Sequence, residues 1–158
     1  MAKYKIFKKQ NNSVFEFFEI PNLPTSYYSF VSEKVKEGFN QYTFTVNKFL
    51  QLLNVMTEKD YKVTYIDLLE TDTEFENEIN DLVLKQEIVS LREKIEFLDH
   101  YEEVDLKSIS FTYHSENSNQ DFNFKIQNNG VIIVHGDDIN INRRLFKLIE
   151  ESVLHYGE

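Results

Sequence analysis

Apolar and polar positions alternate with a period of two along several stretches of this chain, and with a helical period along others. Residues 3–9 and 13–20 read as two strands, with Gln10-Asn11-Asn12 as the loop between them. The aromatic run from Val14 to Ile20 suits a strand. Pro21 and Pro24 end it, and a helix is predicted from about Thr25 to Glu37, capped by Thr25 or Ser26 and stopped by Gly38. Residues 41–46 read as a short strand and 47–56 as a helix with Phe49, Leu50, Leu53 and Met56 on one face. Tyr61, Val63 and Tyr65 alternate with polar residues as a strand does.

The strongest periodicity predicts one long helix from about Thr73 to Leu98. Thr73 and Glu76 have capping-box spacing. Leu84, Ile88, Leu91, Ile95 and Leu98 form a seam at steps of four and three. Phe75, Ile79 and Leu82 form an earlier seam displaced by two residues, which implies a bend or two halves with different neighbours. Beyond it, Ile109, Phe111 and Tyr113 alternate with Ser and Thr, and Phe122, Phe124 and Ile126 alternate again. Asn128-Asn129-Gly130 signals a hairpin turn, and Val131 to Val134 reads as a strand buried on both faces. A last helix is expected from about Ile141 to Tyr156, with Leu145, Leu148, Ile149 and Ser152 inward. The order is that of an α+β fold: an antiparallel sheet with hairpins at both ends, one long acidic helix and a C-terminal helix.

Composition narrows this picture. The 158 residues suit one domain, residues 1–158, with no repeat or linker. Gly and Pro number only 4 and 2, which argues against a turn-rich barrel. The absence of Cys excludes disulfides, thiolate metal sites and Cys nucleophiles. No apolar run approaches the ~20 residues of a membrane span, the basic N-terminus lacks a signal-peptide core, and a cytoplasmic location is expected.

Charge changes it more. The net charge of −10 is concentrated in residues 58–105, which hold 16 acids against 5 bases, whereas residues 1–57 are net +3. Such a field repels phosphates and anionic membranes and attracts a basic protein. Glu70, Glu74, Glu78 and Asp81 lie at helical spacing beside the apolar seam, with Lys85 the obvious local relief. Glu96, Asp99, Glu102, Glu103 and Asp105 follow, where acids oppose the helix dipole, so local helix stability does not account for them.

Catalytic patterns are sparse. His100, His114, His135 and His155 show no metal-ligand spacing. His135-Gly136-Asp137-Asp138 stands between a strand and a helix, a place for a divalent metal or simply for a helix cap. Asp121, Asn123 and Lys125, with Asp105 upstream, loosely echo a nuclease element, a string common by chance. Serine-hydrolase, P-loop and dinucleotide signatures are missing.

The size and composition of the chain, with the acid-rich stretch from Glu70 to Asp105, resemble two groups of small acidic proteins. One is the anti-CRISPR inhibitors of type II CRISPR nucleases, found in low-GC Gram-positive bacteria and their phages. The other is the immunity proteins that block nuclease toxins. The resemblance implies a non-enzymatic inhibitor; the missing motifs add the expectation of no cofactor or metal, and the acidic charge that of no direct nucleic-acid contact. The charge pattern, which carries no residue over from either group, would lay Glu70, Glu74, Glu78, Asp81, Glu96, Asp99, Glu102 and Glu103 against a basic nucleic-acid-acting protein. Two rival expectations are a metal-dependent hydrolase built around Asp121, His135, Asp137 and Asp138, and an oligomerising domain using Tyr27, Tyr28 and Phe30.

Overall fold

The computed structural model describes residues 1–11, 14–22, 26–69, 73–101, 105–136 and 138–154, with Ser152 described by its backbone alone. Those residues form an α+β fold with one antiparallel sheet. Its strands are β1 (Ala2–Lys9), β2 (Phe15–Glu19), β3 (Phe39–Gln41), β4 (Tyr61–Leu68), β5 (Leu106–Ser115), β6 (Gln120–Gln127) and β7 (Val131–Val134). Its helices are α1 (Tyr27–Lys36), α2 (Val46–Glu58), α3 (Thr73–Leu84), α4 (Ile88–Tyr101) and α5 (Ile139–Ile149), the last running into a π-helical turn, Glu150–Leu154. The strand order is β2-β1-β7-β6-β5-β4. β7 pairs the first half of β1, and β3 takes over the same edge at Phe7–Lys9.

Alternation puts one face of the sheet into the main core. Ile6, Val63, Ile66, Ile109, Phe111, Phe124, Ile126, Ile132 and Val134 meet Phe49, Leu52, Leu53 and Met56 of α2, Leu91, Ile95 and Leu98 of α4, and Leu145 and Ile149 of α5. Phe146 of α5 stacks on Phe17 with ring centroids 4.7 Å apart. On the opposite face, over β1–β3, α1 packs Phe30 and Val31 on Phe7, with Phe18 and Phe39 at the margin. Phe30 is therefore core, while Tyr28, two residues earlier, is exposed.

The expected strand at 41–46 is shorter and earlier. Tyr42 N–H donates to the Ile6 carbonyl (3.1 Å) and Phe44 N–H to that of Asn128 (2.7 Å), so this stretch follows the β6–β7 turn without joining the ladder. Thr45 then caps α2. Ser26 caps α1, and Thr25 lies outside the described residues.

The single long helix of the sequence reading is instead two helices. α3 ends at Leu84, Lys85-Gln86-Glu87 forms a turn with Gln86 at φ 52°, and α4 starts at Ile88. The two-residue slip between the seams is the cause. A continuous helix would point one seam away from the core, so the chain breaks and folds back. Ile79 and Val83 are then buried from α3, and Leu91, Ile95 and Leu98 from α4. Leu84, placed in the seam by periodicity, is 82% exposed.

α3 also seals the free edge of β4. Asn80 acts as a surrogate strand: its Oδ1 accepts from Ile66 N–H (2.9 Å) and its Nδ2 donates to the Ile66 carbonyl (2.8 Å). Gln86 Nε2 donates to the Val63 carbonyl (2.9 Å), and Glu76 Oε1 accepts from Leu68 N–H (3.4 Å). Thr73 is the first residue of α3, and the carboxylate of Glu76 serves this edge. An open edge invites pairing with another chain. Asn80→Ala is expected to cost about 1–3 kcal/mol, the penalty of unsatisfied backbone groups, and to promote association. Urea unfolding and light scattering check this; an unchanged midpoint and mass would show the seal to be dispensable.

Candidate partner-binding site

The α3–α4 hairpin carries the acids. Residues 73–101 hold eight carboxylates (Glu74, Glu76, Glu78, Asp81, Glu87, Glu93, Glu96 and Asp99) against Lys85, Arg92 and Lys94. Folding pairs several of them. Lys94 Nζ lies 2.8 Å from Glu78 across the hairpin, Lys85 Nζ 2.9 Å from Asp81, and Arg92 Nη2 3.9 Å from Glu96. The Asp81 hydrogen bond and charge raise the pKa of Lys85. Glu78 and Asp81 are therefore partly neutralised by their neighbours. Exposed ion pairs of this kind stabilise little, and with eight acids against three bases the hairpin stays net acidic. Asp99 is exposed on α4 at the rim of a cleft of about 360 Å3 beside Thr45 and Asp105. Glu70, Glu102 and Glu103 lie outside the described residues.

Sequence periodicity missed the apolar side chains that share this surface. Leu84 and Val89 are 82% and 70% exposed at the turn, and Phe97 and Tyr101 are 48% and 68% exposed further along α4. The Phe97 and Tyr101 rings sit 5.0 Å apart, and Tyr101 meets the His100 imidazole edge-on at 4.6 Å. Lys94 lies 5.6 Å from the Phe97 ring centre and 5.8 Å from that of Phe75. Val89, Glu93, Phe97 and Tyr101 are spaced four apart, on one ridge of α4. No ion pair involves Glu93 among the described residues. The available signal was that Val89, Phe97 and Tyr101 fall off the Leu91–Ile95–Leu98 seam.

The other candidate chemistry disperses. Asp138 caps α5, its Oδ1 accepting from Asn140 N–H (2.9 Å) and Ile141 N–H (3.2 Å). Asp121 stands opposite His114 on the β5–β6 pair, with Oδ1 2.7 Å from Nδ1. His135 follows β7 with its backbone N–H bonded to Asn123, and Asp137 lies outside the described residues. Among the described residues no three His, Asp or Glu converge as metal ligands. A cleft of about 810 Å3 opens between the β5–β6 turn and the start of α5, lined by Asp60, His114, Glu116, Asp138, Asn140 and Arg144. Arg144 is occupied there by Tyr113, 3.3 Å from its hydroxyl and 5.6 Å from its ring centre.

Among the described residues no helix is long and apolar enough to cross a membrane. Comparison of the chain with protein-family models, curated proteins and solved structures finds no match.

Proposed function

We propose that this is a non-enzymatic binding protein whose α3–α4 hairpin docks on a basic protein that acts on nucleic acid. Such an action would make it an inhibitor of a type II CRISPR nuclease or a nuclease toxin. The observation that supports this reading is the mixture on one hairpin of net negative charge with exposed Leu84, Val89, Phe97 and Tyr101. Acidic residues kept only for solubility need no aromatic company. Exposed aromatics among charges are the usual make-up of an interface, with rings as anchors and carboxylates steering the encounter.

The test is a titration of the protein into DNA-cleavage reactions of an RNA-guided type II CRISPR nuclease and of a panel of basic nuclease toxins. One enzyme is expected to lose activity near equimolar inhibitor, with the inhibition weakening as salt rises. Full cleavage by every enzyme at saturating protein would remove the inhibitor reading.

A further inference from the structure

We infer that the ridge Val89–Glu93–Phe97–Tyr101 on α4 accepts an arginine of the partner, held by the Glu93 carboxylate and stacked on the Phe97 ring. This rests on the docking reading above and names the chemistry of the group that docks. Charge complementarity points to a cation. Glu93 has no ion pair among the described residues, unlike Glu78, Asp81 and Glu96 on the same hairpin. Its neighbours one turn away on the ridge are Val89, 70% exposed, and Phe97, 48% exposed. The molecule already shows this recognition inside its own chain. Lys94 is held by the Glu78 carboxylate at 2.8 Å and lies within 6 Å of two rings, those of Phe75 and Phe97. Glu93 stands one turn before Phe97 on the same ridge, with no cation paired to it among the described residues, and the Phe97 ring is shared with Lys94 and Tyr101. Arginine suits it better than lysine. Its planar guanidinium can take a carboxylate with two parallel N–H bonds and lie flat on an aromatic ring, whereas an ammonium is a strongly hydrated point charge. Val89 and Tyr101, at the two ends of a ridge about 18 Å long, would cover apolar residues flanking that arginine.

The probe is a short fluorescein-labelled amphipathic helical peptide with an all-arginine polar face, beside its all-lysine counterpart, followed by anisotropy in low salt. The arginine peptide is expected to bind with Kd on the order of 10 µM and the lysine peptide several-fold more weakly. Phe97→Ala and Glu93→Gln are each expected to weaken the arginine peptide about tenfold. Both side chains are solvent-facing, and unchanged circular dichroism will verify the fold. A triple reversal of Glu74, Glu96 and Asp99 to Lys separates this inference from the reading beneath it. If that variant abolishes binding while Phe97→Ala and Glu93→Gln leave Kd within about twofold, the arginine site is overturned and the acidic docking surface stands. Equal affinity for the two peptides, or no binding of the arginine peptide, also overturns the arginine site.

Discussion

Gly130→Ala is expected to lower stability by about 3 kcal/mol or more, a fall of roughly 10 °C in Tm for a chain of this size. Gly130 ends the β6–β7 turn at φ +80°, a conformation that costs an L side chain energy on its own. A Cβ there would also stand 2.3 Å from the Tyr42 carbonyl oxygen, a backbone atom that cannot swing aside. The crowding arises because three segments converge at this point. Ile6 N–H donates to the Gly130 carbonyl (2.9 Å), Tyr42 N–H to the Ile6 carbonyl (3.1 Å), and Phe44 N–H to the Asn128 carbonyl (2.7 Å). Displacing the turn would loosen β1, β7 and the lead into α2 together. Gly38→Ala is the control, because Gly38 has φ +96° but nothing within 4 Å of a Cβ. It is expected to cost only about 1–2 kcal/mol. Thermal melts of the two variants separate clash from backbone conformation; equal losses would show that the turn relaxes around the new methyl.

The second large effect concerns Lys5, which is fully buried on the α1 side of β1. Its ammonium donates to the Asn129 carbonyl and lies 5.8 Å and 5.5 Å from the Phe7 and Tyr27 ring centres. No carboxylate pairs with it among the described residues. Burial lowers its pKa from 10.5 to about 8. Between those values the unfolded chain binds more protons than the folded one, so this group makes stability rise with pH. Below about pH 8 the full penalty of a buried ammonium is present, about 3 kcal/mol, and it is relieved as the pH climbs toward 10.5. Burial raises the pKa of Tyr27, with a further push from Tyr28, so this neighbouring hydroxyl stays protonated across the window from about pH 7 to 9.5. Urea unfolding at several pH values from about 7 to 9.5 is expected to show wild-type stability rising relative to Lys5→Met, which lacks the titrating group. Parallel curves for the two proteins would mean that Lys5 reaches water when charged.

The parts of the fold legible in the sequence are those governed by local period. Strands β5 and β6 follow from alternation, β7 from an unbroken apolar run, and the turn before β7 from Asn128-Asn129-Gly130. The break between α3 and α4 was present only as a two-residue slip between seams. Without the core to choose, bending and breaking looked alike, and Leu84 was assigned to the wrong side. The edge-sealing of Asn80 and Gln86 had no signature, because an amide reaching a strand edge depends on tertiary placement. The burial of Lys5 beside Phe7 had no signature in the sequence, since the covering helix α1 comes later in the chain. For the candidate site, the acidic stretch was visible as composition. Its internal neutralisation through Lys94 was not, because Glu78 and Lys94 meet only when the hairpin closes. Glu93 was passed over for the same reason: only folding shows which carboxylates remain unpaired.

The most direct test of the docking surface is a comparative capture from cell lysate. The tagged wild-type protein and the Glu74→Lys, Glu96→Lys, Asp99→Lys variant serve as paired baits at low and high salt, with quantitative mass spectrometry of what each retains. The expected result is a basic nucleic-acid-acting protein held by wild type at low salt, and lost both at high salt and with the variant. Retention of the same proteins by both baits would contradict the assignment of docking to α3–α4.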